Sequence, residues 1–239
     1  MGTLFLIYAI RNKFLNMGLL GCGFNSVLIG FVGNFLFRQG PVFQEIFVYI
    51  GYVLVVIFVN ITFYRGHMKK AHIVLIAVII LGMIQIFLIC TFSPLGLKRG
   101  VYYYFRISLD LIYVFLVFNW FAYSFYNAYN RLKDQDIEPW IKTRYKMLAI
   151  ASFIMSFHTF PEFFQPKNVP WGDPSNPNSL IIFGTLAIMG MLYSVIFAIS
   201  WLMPKSLKNY INKGYKIKID EEYSEVELMN LIKKQLNKD

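Results

Sequence analysis

Charged residues are scarce in this sequence: they make up 15% of its 239 residues, whereas hydrophobic residues make up 57% and aromatic residues 18%. With a mean hydropathy of +0.51, the chain has too few polar side chains to cover the surface of a soluble domain of this size. The composition therefore excludes a soluble globular protein. It predicts that most of the chain lies in a lipid bilayer.

Cysteine and histidine are also rare, which excludes several kinds of site. Cys22 and Cys90 lie in separate apolar segments and cannot build a disulfide framework. His67 and His72 have no cysteine or carboxylate at the spacing of a zinc site. The sequence also contains no nucleophile elbow, phosphate-binding P-loop or dinucleotide fingerprint. We therefore expect no metal and no cofactor, and we favour a protein that is not an enzyme.

Long apolar segments are what the sequence does contain. A helix needs roughly 20 apolar residues to cross a bilayer, and six segments reach that length: Met17–Phe37, Val42–Tyr64, His72–Phe92, Val101–Tyr129, Tyr145–Phe164 and Ser179–Met203. The segment Met1–Ile10 is too short to cross, so we expect an interfacial helix there. If it belongs to a truncated first helix, the number of spans is seven. The fold class predicted is all-α, a polytopic transmembrane helical bundle.

The chain divides into three parts by composition. Residues 1–16 form the N-terminal segment, residues 17–203 the transmembrane bundle, and residues 204–239 a basic tail. Within the tail, Ser224 and Glu227 have the spacing of a capping box, which predicts a short amphipathic helix over residues 224–236. Its apolar face must pack on its own chain, on a second copy of the chain or on a cytoplasmic protein partner.

The net charge of +10 comes from lysines and arginines that flank the apolar segments and fill the tail. They are concentrated in the N-terminal segment, in the second and fourth connections between spans, and in the tail. Because positive residues favour the cytoplasmic side, both termini are predicted to be cytoplasmic in a multi-pass protein of the cell membrane. The partner predicted for these charges is the lipid bilayer and not nucleic acid.

Two pairs of ionisable residues lie inside the apolar segments. Arg106 and Asp110 are four residues apart in the fourth span, and His158 and Glu162 are four residues apart in the fifth. On a helix, each spacing puts both side chains on one face, and both pairs fall in the outer half of the predicted membrane. We therefore expect the two pairs to meet in the interior of the bundle.

Three more polar residues are candidates for the same site, namely Glu45, Gln85 and Tyr113. Ionisable residues inside a membrane are costly, so a cluster of them predicts a functional site. The alternative is that Arg106 and Glu162 extend to the lipid headgroups and only anchor their helices.

Three functions are compatible with such a cluster. A receptor or sensor-like module would bind a ligand in the outer polar pocket and pass the change to a partner through the cytoplasmic tail. A transporter or channel subunit would use the same charges to line a path for a small solute or protons. A membrane enzyme would use His158 and Glu162 as an acid–base pair. The receptor is favoured, because the inner halves of the spans carry few polar residues for a complete path.

Overall fold

A computed structural model describes residues 1–64, 69–92, 101–166, 169, 172–213 and 215 of the chain. In these ranges the protein is all-helical, with no strand. Eight α-helices follow one another: α1 (Gly2–Asn12), α2 (Leu15–Phe35), α3 (Pro41–Tyr64), α4 (Lys69–Phe92), α5 (Val101–Leu132), α6 (Pro139–Met155), α7 (Pro177–Trp201) and α8 (Lys205–Ile211). A 3₁₀ helix, Phe160–Phe164, lies between α6 and α7.

The prediction of an all-α bundle with six spans is confirmed: six helical segments are long and apolar enough to cross a membrane. They are α2, α3, α4, α5, α7 and the segment Pro139–Phe164, which contains α6 and the 3₁₀ helix. We call the end of the bundle at which α3, α5 and α7 begin the upper end. The opposite end, where α8 lies, is the lower end. The upper end corresponds to the predicted outer side.

The fifth span differs from the predicted segment at both ends. It begins at Pro139 instead of Tyr145, because proline is well tolerated at the first position of a helix, where its missing N–H is not needed. Its α-helix then ends at Met155, and the Ser156 hydroxyl donates to the Phe153 carbonyl oxygen over 2.6 Å. Thr159 precedes the 3₁₀ helix. Residues 156–164 therefore do not share the regular face of one α-helix.

The N-terminal helix packs against other helices of the bundle, whereas the sequence predicted only that it would lie at the membrane interface. α1 runs antiparallel along the first half of α2: Gly2 lies beside Asn25, and Ala9 lies beside Gly18. The ring of Phe5 is completely buried and packs on Phe197 of α7, with 6.1 Å between ring centroids. This short helix is thus part of the packed bundle.

Close contact between α2 and α3 depends on glycine. A Cβ atom on Gly51 would lie 2.8 Å from the carbonyl oxygen of Gly23, so the two backbones could not approach so closely with larger residues. The Ser26 hydroxyl adds a hydrogen bond of 2.7 Å to the Phe47 carbonyl oxygen. In α7, by contrast, a Cβ atom on Gly190 would meet nothing within 4 Å. A small residue therefore marks a helix contact in the first span but not in the sixth.

Aromatic side chains fill the lower half of the bundle. The aromatic core comprises Phe63, Phe121, Phe125, Tyr145 and Phe197, which are at most 2% exposed. Phe125 has ring contacts with the other four members at centroid distances between 5.4 and 6.5 Å. Such buried aromatic surface is a large source of packing energy. It also fills this part of the lower half with tightly packed rings.

The basic tail begins by packing on the lower end of the bundle. Asn212, just after α8, accepts a hydrogen bond from the Trp140 backbone N–H over 3.1 Å and donates to the Glu138 carboxylate over 3.2 Å. The Lys208 ammonium lies 3.9 Å from the centroid of the Trp140 ring, a distance typical of a cation–π contact. The capped helix predicted over residues 224–236 lies outside the described residues.

Candidate functional site

The upper half of the bundle contains a set of polar residues that begins on α3. Glu45, Tyr49 and Tyr52 are spaced by four and three residues, so they lie along one face of the helix. All three are half-buried. The ring of Tyr52 packs on that of Tyr113 in α5, with 5.3 Å between ring centroids. This face of α3 therefore points toward α5.

The facing residues of α5 repeat the same spacing. Arg106, Asp110 and Tyr113 lie along one face of this helix, and Tyr113 is completely buried. The Thr159 hydroxyl, between α6 and the 3₁₀ helix, donates to the Asp110 carboxylate over 3.0 Å. Arg106 and Asp110 share this face because α5 is one continuous helix. The contact with Thr159 ties that face to the fifth span.

Helix α4 contributes Gln85 and Gly82. The buried Gln85 amide donates to the backbone carbonyl oxygen of Arg106 over 3.3 Å. A Cβ atom on Gly82 would lie only 2.8 Å from the Tyr113 hydroxyl oxygen, and closer still to the ring of Tyr49. Gly82 thus leaves room for the two tyrosines to converge between α3 and α5.

Four charged side chains belong to this set. Asp110, Arg106 and Glu162 all act electrostatically on Glu45, and Asp110 and Arg106 act on Glu162. We call the following group the polar cluster: Glu45, Tyr49, Tyr52, Arg106, Asp110, Tyr113 and Glu162. The Tyr103 hydroxyl also approaches it, since it donates to the backbone carbonyl oxygen of Glu162 over 3.5 Å.

Within the described part of the chain, several polar groups of the cluster have no hydrogen-bond partner. The completely buried Tyr113 hydroxyl is one of them. The half-buried carboxylates of Glu45 and Glu162 are two more: their interactions with described side chains are electrostatic only. A buried polar group without a protein partner is uncommon and destabilising, so water or a ligand can supply the missing bond here.

His158 does not join the polar cluster. Its ring lies near the backbone of Leu186 in α7, whereas the electrostatic partners of Glu162 are Asp110 and Arg106. The predicted meeting of four ionisable groups assumed that His158 and Glu162 shared one helix face. The end of α6 at Met155 removes that relation. Of the seven candidate residues, the structure brings together Glu45, Gln85, Arg106, Asp110, Tyr113 and Glu162.

Sequence reasoning missed Tyr49, Tyr52, Gly82 and Thr159. The two tyrosines could have been found from their helical spacing to Glu45, the only acidic residue of the second span. Gly82 and Thr159 carry no comparable signal in the sequence. Among the described residues, no group of three or more histidine, cysteine or acidic side chains could hold a metal ion. The chemistry available at the cluster is therefore ionic and hydrogen-bonding.

A second polar network lies lower in the bundle and is internally satisfied. The Trp120 indole N–H donates to the Asn60 side-chain oxygen over 2.9 Å, and the Asn60 amide donates to the Ala71 carbonyl oxygen over 2.8 Å. The hydroxyls of Tyr64 and Ser124 hydrogen-bond over 3.1 Å. Because these polar groups satisfy one another, this network ties α3, α4 and α5 together and is a structural contact.

Comparison of the chain with family models, with curated proteins and with solved structures finds no match, so its function has to be inferred from its own residues.

Proposed function

We propose that this chain is a small membrane receptor module whose ligand-binding site is the polar cluster. The observation that carries this proposal is the presence of three carboxylates and one guanidinium, partly buried, within apolar spans. Ionisable groups in that setting are expensive, and functional sites are the usual reason for them. The unpartnered Tyr113 hydroxyl at the same place adds an independent argument for a ligand.

The aromatic core favours a receptor over a transporter. A transported solute or proton needs polar groups or water along the whole bundle, whereas the lower half contains the tightly packed rings of Phe121, Phe125 and Phe197. The polar residues at that level include Asn60 and Trp120, which hydrogen-bond with each other, and the buried Arg144, whose guanidinium lies 4.2 Å from the centroid of the Trp201 ring. A closed lower half is compatible with a site that only binds.

The enzyme alternative has less support. An acid–base pair requires both groups within reach of one reacting atom. The ring of His158 lies near Leu186 of α7, while Glu162 interacts with Asp110 and Arg106.

Helix α5 is the proposed route by which binding is communicated. Its 32 residues form one continuous helix from the polar cluster to the lower end. There, the turn after α5 leads to Glu138 and Trp140, the residues on which the tail docks through Asn212. In this proposal the lower end, where α1 ends and the tail begins, faces the cytoplasm, the membrane is the cell membrane, and a partner protein or a second copy of the chain binds the tail.

The proposal is tested by perturbing the cluster and observing the tail. Glu45→Gln removes one charge of the cluster with little change of shape. Hydrogen–deuterium exchange is then measured on the full chain in lipid nanodiscs. If the cluster and tail are coupled, the backbone amides of α8 change their exchange rate although they lie at the opposite end of the bundle.

Asp173→Asn is the matched control, because Asp173 lies in the loop before α7 and outside the cluster. The hydroxyl and backbone N–H of Ser175 donate to this carboxylate and lower its pKa, so the control also removes a charge present at neutral pH. Exchange in α8 should be unchanged in this variant. Unchanged exchange in Glu45→Gln as well would contradict the receptor proposal.

A further inference from the structure

The polar cluster contains more acidic than basic side chains among the described residues. Glu45, Asp110 and Glu162 contribute three carboxylates, whereas Arg106 contributes one guanidinium. Asp110 has a hydrogen-bond donor in Thr159, but no described side chain donates to the carboxylates of Glu45 or Glu162. Partly buried carboxylates without donors favour the approach of a cation.

Aromatic rings line the same place. Tyr52 and Tyr113 pack against each other, and the ring of Tyr49 lies beside Gly82 close to the Tyr113 hydroxyl. The faces of aromatic rings attract cations, and this attraction is stronger where water is excluded. The Tyr113 oxygen, which has no hydrogen-bond partner among the described residues, can accept a hydrogen bond from a donor group.

We infer that the ligand of the polar cluster is a small organic cation that carries a primary ammonium group. This inference depends on the proposed function, because it names the ligand of the same site. An ammonium group has three N–H donors and no acceptor, which suits the carboxylates of Glu45 and Glu162 and the Tyr113 oxygen. A carboxylate or phosphate ligand would meet three acidic side chains and one basic side chain, so it fits the cluster less well than a cation. A metal ion would lack ligands, since no described group of three suitable side chains can hold one.

Three probes of similar size and different charge test this inference: n-butylammonium, n-butanol and butyrate. Each is added to the full chain in nanodiscs at concentrations that would saturate a weak site, one with a Kd of about 1 mM. The melting temperature is followed by tryptophan fluorescence. Because a ligand that binds only the folded state stabilises it, n-butylammonium should raise the melting temperature. The alcohol and the acid should not raise it.

Variants then locate the binding. Glu45→Gln removes a charge-assisted hydrogen bond, so it should weaken n-butylammonium binding roughly tenfold or more. Tyr113→Phe removes only the unpartnered hydroxyl, and Gly82→Ala places a methyl group against Tyr49 and the Tyr113 hydroxyl. Both should also weaken binding. Gly190→Ala, where the added methyl group meets nothing within 4 Å, and Asp173→Asn should bind as the unchanged chain does.

Three results would overturn the inference: no shift with n-butylammonium, an equal shift with n-butanol, or a shift that survives Glu45→Gln, Tyr113→Phe and Gly82→Ala alike. The exchange experiment on α8 needs no ligand. If the probes fail while the cluster and the tail remain coupled, the ammonium ligand is wrong and the receptor proposal stands. If the probes bind and the coupling is absent, the cluster binds an ammonium group but the receptor proposal is wrong.

Discussion

Tyr113 and Tyr64 both carry a largely buried hydroxyl, but only that of Tyr64 has a described partner, the Ser124 hydroxyl. Removing a hydrogen-bonded hydroxyl typically costs about 1 kcal/mol, whereas removing an unsatisfied one is nearly neutral or stabilising. In the absence of ligand, Tyr64→Phe should therefore lower the free energy of unfolding by about that amount. Tyr113→Phe should leave it unchanged or raise it. Reversible unfolding in mild detergent measures both. Equal losses would mean that the Tyr113 hydroxyl is hydrogen-bonded in the membrane.

Arg106 and Glu45 have opposite expected effects because the cluster contains three carboxylates and one guanidinium. The Arg106 guanidinium acts electrostatically on these carboxylates, with no close ion pair among the described residues, so we expect Arg106→Gln to cost about 1–2 kcal/mol. Glu45→Gln should be neutral or stabilising, because it relieves repulsion among carboxylates. The same unfolding measurement gives both values.

The double variant Arg106→Gln/Glu45→Gln completes this experiment. It should cost less than Arg106→Gln alone, because fewer uncompensated negative charges remain. Small and additive effects in all three proteins would instead favour side chains that reach the lipid headgroups and only anchor their helices.

The sequence pointed to five of the seven residues of the polar cluster, and to Gln85 beside them, because their charge or polarity is unusual in a span. It did not predict Tyr49 and Tyr52, since tyrosines are common near membrane surfaces and do not stand out there. It misplaced His158 because a helical spacing has meaning only where the helix continues, and α6 ends three residues earlier. Thr159 could contact Asp110 only because of that break.

At the scale of elements, the contact between α2 and α3 predicts that glycines differ sharply in their tolerance of alanine. In Gly51→Ala the new methyl group would overlap Val27 and the Gly23 carbonyl oxygen, and overpacking of this kind costs roughly 1–3 kcal/mol. In Gly184→Ala of α7 it meets nothing within 4 Å, so the better helix propensity of alanine should leave stability unchanged or raise it by up to about 1 kcal/mol.

Melting temperatures of the two alanine variants in one nanodisc preparation check this prediction. If Gly51→Ala melts as Gly184→Ala does, α2 and α3 do not approach each other as closely as described. The existence of both helices was predictable from hydropathy, because an apolar segment of this length satisfies all its backbone groups within a bilayer by forming a helix. It was not predictable which glycines contact a neighbouring helix, because that depends on how each helix is rotated about its own axis.

At the scale of the whole molecule, the alternation of six spans puts the α1–α2 turn and the α5–α6 turn at the same end. Single cysteines at Lys13 and Asp134 of the lower end, and at Gln39 and Ser175 of the upper end, test this arrangement in a background without Cys22 and Cys90. All four positions are exposed. The positive residues are concentrated at the lower end, so we expect the lower end to face the cytoplasm. A membrane-impermeant thiol reagent should therefore label only the upper-end cysteines in intact cells.

Permeabilised cells provide the control, because all four cysteines should then react. The reverse pattern in intact cells would mean that the orientation is inverted. If the two cysteines of the same end react differently, the spans do not alternate as described.

The hydrogen-bond network around Asn60 holds α5 at one point along its length. Asn60 and Tyr64 hold α5 at Trp120 and Ser124, at a level that separates the polar cluster from the lower end. At 1.5 Å per residue, Asp110 lies about 15 Å along the helix on one side of Trp120, and Leu132 lies about 18 Å on the other. A rigid helix held at such a point behaves as a lever with nearly equal arms. A tilt that draws Asp110 toward a bound ligand therefore swings the end of α5, next to the site where α8 docks, in the opposite direction by a similar distance.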